Sequence, residues 1–84
     1  SQNCWFLYIL FSPSLNKYYT GITQNLDDRL KRHNQGRNRS TKAGIPWILK
    51  YTESFPSRSE AQKREYFIKS RKSHLFISQL ISNN

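Results

Sequence analysis

A chain of 84 residues with 36% hydrophobic residues, including five Phe, five Tyr and two Trp, has apolar surface for one small core. A domain of this size buries only roughly 60–65% of the surface its unfolded chain exposes, so a second core is excluded, as is disorder throughout. Fourteen Lys and Arg against five Asp and Glu give a formal charge of +9, which attracts phosphate backbones or other polyanions and says nothing about catalysis.

The run Cys4–Phe11 is aromatic and β-branched with almost no polar interruption, which predicts a central strand covered on both faces. It is too short to cross a bilayer and lacks the pattern of a signal peptide. Cys4 is the single cysteine, so no intramolecular disulfide forms, no zinc spacing exists, and a reducing, cytoplasmic setting without membrane attachment is expected. Ser12–Asn16 reads as a turn, and Tyr18–Thr23 as the returning strand of a hairpin. Asn25 is placed to cap a helix with Asp27 and Asp28 in its first turn and Leu26, Leu30 and His33 on one face, Arg29 beside them. The polar, glycine-containing stretch 34–44 is expected to be an exposed loop.

A third strand is predicted over Trp47–Phe55, with Trp47, Leu49, Tyr51 and Phe55 alternating inward. Ser57-Arg58-Ser59-Glu60 has capping-box spacing for a helix to about Ser70, and Ser73 caps a final helix through Ile81. The expected architecture is one α/β (α+β) domain over residues 1–84, a three-stranded, mostly antiparallel sheet flanked by helices in the order ββαβαα.

Glu65 falls on the helical stripe with Ala61 and Ile68, where an apolar residue is expected. A buried carboxylate needs a compensating cation, metal or donor, and spacing alone leaves open an ion pair with Lys69 one turn later. Arg29 and His33 are likewise one turn apart, and an Arg fork matches a phosphate. Tyr8 and Tyr19 sit on adjacent strands, with Gly21 on the face of Tyr19, where its missing side chain leaves room for a substrate; packing is the other reading of the tyrosines, and the one taken for Tyr18, Tyr51 and Tyr66. Arg29, Lys31, Arg32, Arg37, Arg39 and Lys42 form a candidate phosphate-tracking surface, and Lys63, Arg64, Lys69, Arg71 and Lys72 a second basic cluster.

Taken together these segments resemble the GIY-YIG endonuclease superfamily, in particular small single-domain members close to the excinuclease catalytic module. Phe6-Leu7-Tyr8 stands at the GIY position and Tyr19-Thr20-Gly21 at YIG; Asp28-Arg29-Leu30 with His33-Asn34, Pro46-Trp47, and Ala61-Gln62-Lys63-Arg64-Glu65 follow in the family's order. The resemblance spans about Trp5 to Ile81. It implies that Tyr8, Tyr19, Arg29, His33 and Glu65 converge as a catalytic set, with Glu65 holding one magnesium or manganese ion. It further implies that a tyrosine, Tyr19 by preference, accepts the proton of the attacking water while Tyr8 orients that water. Arg29 would stabilise the phosphate and His33 hold a phosphate or the nucleophile. Lys31, Arg32, Arg37, Arg39, Lys42 and Lys69 would bind nucleic acid.

The function so implied is metal-dependent hydrolysis of nucleic-acid phosphodiester bonds, of DNA in repair or recombination, with a protein partner as one source of specificity. A non-catalytic nucleic-acid-binding module on the same fold is the alternative.

Overall fold

The computed structural model describes residues 4–83. In chain order they form β1 (Trp5–Ser12), β2 (Lys17–Thr23), α1 (Leu26–Asn34), a 3-10 turn (Lys42–Gly44), β3 (Ile48–Phe55), α2 (Arg58–Arg71) and α3 (His74–Ser82), the expected ββαβαα order. The sheet order is β2-β1-β3 and both pairings are antiparallel. No described helix is long and apolar enough to cross a membrane.

β1 is central because both of its faces are apolar. Leu7 and Ile9 pack with Tyr51 and with Ile68 of α2, and Phe76, Ile77, Leu80 and Ile81 of α3 close over them. Tyr8 and Leu10 face the other layer with Trp47, Tyr19, Ile45, and Leu26 and Leu30 of α1. Full burial of such side chains stabilises the fold by about 1.5–3 kcal/mol each, so one strand joins the two apolar clusters of a single domain.

Each helix begins as its sequence specifies: Asn25 accepts from the Asp28 amide at 3.0 Å, Ser57 from the Glu60 amide at 3.3 Å and Ser73 from the Phe76 amide at 3.0 Å. α1 ends where Gly36 turns left-handed at φ 76°. The Gly36 amide then bonds the His33 carbonyl at 3.3 Å and the Arg37 amide bonds the Arg32 carbonyl at 3.1 Å, the paired Schellman closure that folds the chain back along its own helix.

Four expectations are revised. The 34–44 segment is not an exposed loop throughout: Thr41 and Gly44 are buried, because Ser12 donates to the Gly44 carbonyl at 2.7 Å and the Trp47 indole donates to the Thr41 carbonyl at 2.6 Å. Ser12 therefore ends β1 as a buried residue rather than opening the turn. The alternation expected along β3 breaks at Lys50, where Ile9 pairs with Tyr51 and Leu10 with Leu49; the extra residue moves Leu49 off the face of Tyr51 and leaves it exposed. Tyr66 is exposed, not packed.

The second basic cluster is largely engaged within the chain. Arg64 grips Glu53 through two bonds of 3.0 and 3.1 Å, and the Tyr51 hydroxyl donates to the same carboxylate. Arg71 stacks over Phe67 and Phe76. The Arg64 fork fixes how α2 sits on β3, and so orients the next residue, Glu65.

Gly44 has no room for a side chain, since a Cβ there would strike the Trp47 ring and approach Ser12 Oγ at 3.1 Å. Gly44→Ala should lower unfolding stability by about 1–3 kcal/mol, read as a shift of the urea midpoint; an unchanged midpoint would show that Trp47 is not held as described.

Candidate active site

Tyr8 lies across β2. Its strand partner is Gly21, and a Cβ on Gly21 would sit 2.6 Å from the Tyr8 hydroxyl oxygen and 2.8 Å from Cζ. The space left by Gly21 is thus taken by the Tyr8 ring, which corrects the expectation that it admits a substrate. The phenol of a buried tyrosine needs a partner, and here it is His33 Nε2 at 3.3 Å.

His33 is 0% exposed, and its other ring nitrogen, Nδ1, lies 2.7 Å from Thr41 Oγ1. The Thr41 hydroxyl donates its one proton to the Asn38 carbonyl at 3.3 Å, so it accepts from the imidazole. That assigns the proton to Nδ1 and leaves Nε2 as the acceptor for Tyr8. Burial, reinforced by the Arg29 charge, lowers the His33 pKa below its ordinary 6.5. A neutral imidazole follows at neutral pH.

The Tyr8 pKa is raised well above 10, first by burial and then by the neighbouring Tyr19, with Glu65 adding to the rise and Arg29 opposing it. Tyr19 packs on both groups: its ring centroid is 6.3 Å from that of Tyr8 and 5.0 Å from that of His33, which it meets edge-on. Its hydroxyl takes no hydrogen-bond partner among the described residues. Arg29 Nε is buried and likewise has no partner among them. A desolvated donor left unpaired costs about 1–3 kcal/mol, and in a cationic group beside a cleft it signals a place for an anion.

Glu65 keeps only 13% of its side-chain surface exposed and pairs with Lys69 at 3.0 Å, while Lys69 itself is 51% exposed. The ion pair that the spacing left open is therefore formed, although a half-exposed ammonium contributes little to it. Among the described residues no three His, Cys, Asp or Glu side chains cluster to hold a metal. A single carboxylate is the kind of ligand that magnesium or manganese takes, hard cations that retain waters and use one or two protein oxygens.

Beyond Arg29 the chain bends around an open pocket of about 480 Å³ lined by Arg29, Arg32, His33, Arg37, Asn38 and Arg39. The expected Arg32, Arg37 and Arg39 meet there; Lys31 lies instead with Asp27 and Leu30 around another surface recess, and Lys42 and Lys69 lie outside the lining. Thr41 and Asn38, which set the tautomer of His33, carry no signal in the sequence. A threonine and an asparagine in a polar stretch have no periodicity to mark them, and only the fold shows that the stretch turns back onto α1.

The model of the GIY-YIG catalytic domain matches residues 4–76. A UPF0213 protein of Nitratidesulfovibrio vulgaris is 42% identical over 70 residues, which are 82% of this chain and 63% of that protein, so the chain spans a little under two thirds of that relative. A UPF0213 protein of Staphylococcus haemolyticus is 47% identical over 55 residues, 64% of this chain and 67% of its own length. The solution NMR structure of a UPF0213 protein from Bacillus halodurans is similar with a TM-score of 0.61 and 34% identity, covering 96% of this chain and 85% of that one.

The lowered His33 pKa fixes the sign of a stability effect. Between the folded-state value and the unfolded value of 6.5, the unfolded chain binds more protons, so the contribution of His33 is complete above pH 6.5 and is lost as pH falls through its folded pKa. An NMR titration of the imidazole should therefore give a midpoint below 6.5, and Thr41→Val should shift it. A midpoint at or above 6.5 in the wild type would contradict the buried neutral ring.

Proposed function

Because the chain belongs to the GIY-YIG family, we propose that it is an endonuclease that hydrolyses nucleic-acid phosphodiester bonds with the help of one divalent metal ion. We take its substrate to be DNA, its setting the cytoplasm and its use repair or recombination, with specificity shared with a protein partner. The observation that carries the reading is the Tyr8 hydroxyl bonded to a buried neutral His33 Nε2 beside a desolvated Arg29 Nε that lacks a partner among the described residues.

Tyrosine is a weak base, and burial makes the Tyr8 phenolate costlier still. The hydrogen bond to His33 removes the need for a free phenolate. As water attacks phosphorus, its proton passes to the Tyr8 oxygen while the Tyr8 proton passes to His33 Nε2. The P–O bond to the leaving oxygen breaks, that oxygen takes a proton from solvent, and His33 returns its proton afterwards. This supports Tyr8 rather than Tyr19 as the first acceptor, with the free hydroxyl of Tyr19 holding the water. Arg29 neutralises charge growing on the phosphate, where its Nε is already desolvated. Glu65 would hold the magnesium or manganese ion, which when bound supplies Lewis-acid stabilisation of the phosphate and the departing oxygen. With Glu65 so engaged, Lys69 would be free to meet a phosphate.

Wild-type protein with magnesium or manganese should cut labelled nucleic acid and stop in chelator. Glu65→Gln should lower the rate at least about a hundredfold, the scale of a lost electrostatic stabiliser, with the fold and metal-free binding retained. Binding without cutting by the wild type on duplex, branched and single-stranded DNA and RNA would instead establish a non-catalytic binding module.

A further inference from the structure

The Arg29 guanidinium accounts for one phosphate, yet the pocket beside it gathers three more guanidiniums, from Arg32, Arg37 and Arg39. No carboxylate lines this pocket. Asp28 meets Arg32 at 3.3 Å in a pair that is more than half exposed on both sides, which compensates little. Converging cations of this kind repel one another unless a polyanion enters. The volume of about 480 Å³ exceeds what one phosphoryl group fills.

The segment presenting Arg37, Asn38 and Arg39 is built rather than loose. The left-handed Gly36 returns it along α1. Asn38 Oδ1 accepts from the Ser40 amide at 3.1 Å and the Ser40 hydroxyl at 2.8 Å, and Thr41 ties the far end to His33 and Trp47. The arginines thus project from a backbone fixed to the same histidine that holds Tyr8.

Building on the nuclease reading, we propose that Arg32, Arg37 and Arg39 form a second phosphate subsite. It takes a phosphate adjoining the one held by Arg29, so that the substrate is gripped through two closely spaced phosphates of one strand. The second charge comes either from the next phosphodiester of a continuous strand or from a terminal phosphomonoester. Sequence plays no part in this recognition.

The test is binding in chelator, by fluorescence anisotropy over a series of salt concentrations, using short DNA duplexes with and without 5′- or 3′-terminal phosphates. Arg37→Gln/Arg39→Gln is compared with Lys17→Gln/Lys50→Gln, which removes the same charge from exposed positions outside the pocket. The arginine variant should bind at least about tenfold more weakly at low salt, with a log–log salt slope shallower by about 2, one for each guanidinium withdrawn from the phosphates. The lysine control should keep the wild-type slope. Equal slopes in the two variants would overturn the subsite while leaving the nuclease reading intact; no binding by the wild type would overturn both. Preference for a terminal phosphate that disappears in the arginine variant assigns the second charge to a strand end. The same weakening without end preference assigns it to an internal diester.

Discussion

The central strand β1 must bury both of its faces, and the fold and the candidate site follow from that constraint. On one face Leu7 and Ile9 are satisfied by hydrocarbon from α2 and α3. On the other, Tyr8 brings a hydroxyl into the core, where leaving it unpaired would cost about as much as burying a good apolar side chain provides. Gly21 makes the space for the ring and His33 accepts the hydroxyl proton. His33 in turn is fixed by Thr41, and Thr41 by Asn38 and by the indole of Trp47. A packing requirement on one strand thereby reaches across β2, α1, the 36–44 segment and the start of β3.

That chain of hydrogen bonds gives the site its chemical character. The polar groups placed around Tyr8 are unequal in freedom: His33 has both ring nitrogens engaged, while the Tyr19 hydroxyl and Arg29 Nε have no partner among the described residues. Groups already engaged are suited to passing protons, and groups left free are suited to receiving a ligand. Glu65 stands between these cases, itself largely buried but paired with a half-exposed lysine. The helix that carries it is tied to β3 by the pair between its own Arg64 and Glu53 of the strand.

Much of this is legible in the sequence. The hairpin, the three N-caps and the odd acid among apolar helix positions all carry local signals, and the order Tyr8, Tyr19, Arg29, His33, Glu65 points to the family without any geometry. What stays hidden depends on the meeting of distant segments. The bulge at Lys50 reverses an alternation that looks regular in the sequence. Thr41 looks like an ordinary loop residue until Trp47 and His33 close on it. Gly21 reads equally as room for a ligand or for a neighbouring ring, and only the register opposite Tyr8 decides between them. The pairing of Lys69 with Glu65 is one of the options its spacing offers, whereas the clamp of Arg64 on Glu53 of β3 needs the fold to bring them together.

The central claim is that Tyr8 passes the water proton to a neutral His33 rather than acting as a free phenolate. The pH dependence of the single-turnover cleavage rate at saturating magnesium tests it most directly. The account predicts a rate that rises with pH through a midpoint below 6.5, where His33 loses its proton, and is then flat through neutral pH. A rate that climbs steadily toward the ordinary tyrosine pKa of about 10, unchanged in form by His33→Gln, would contradict it.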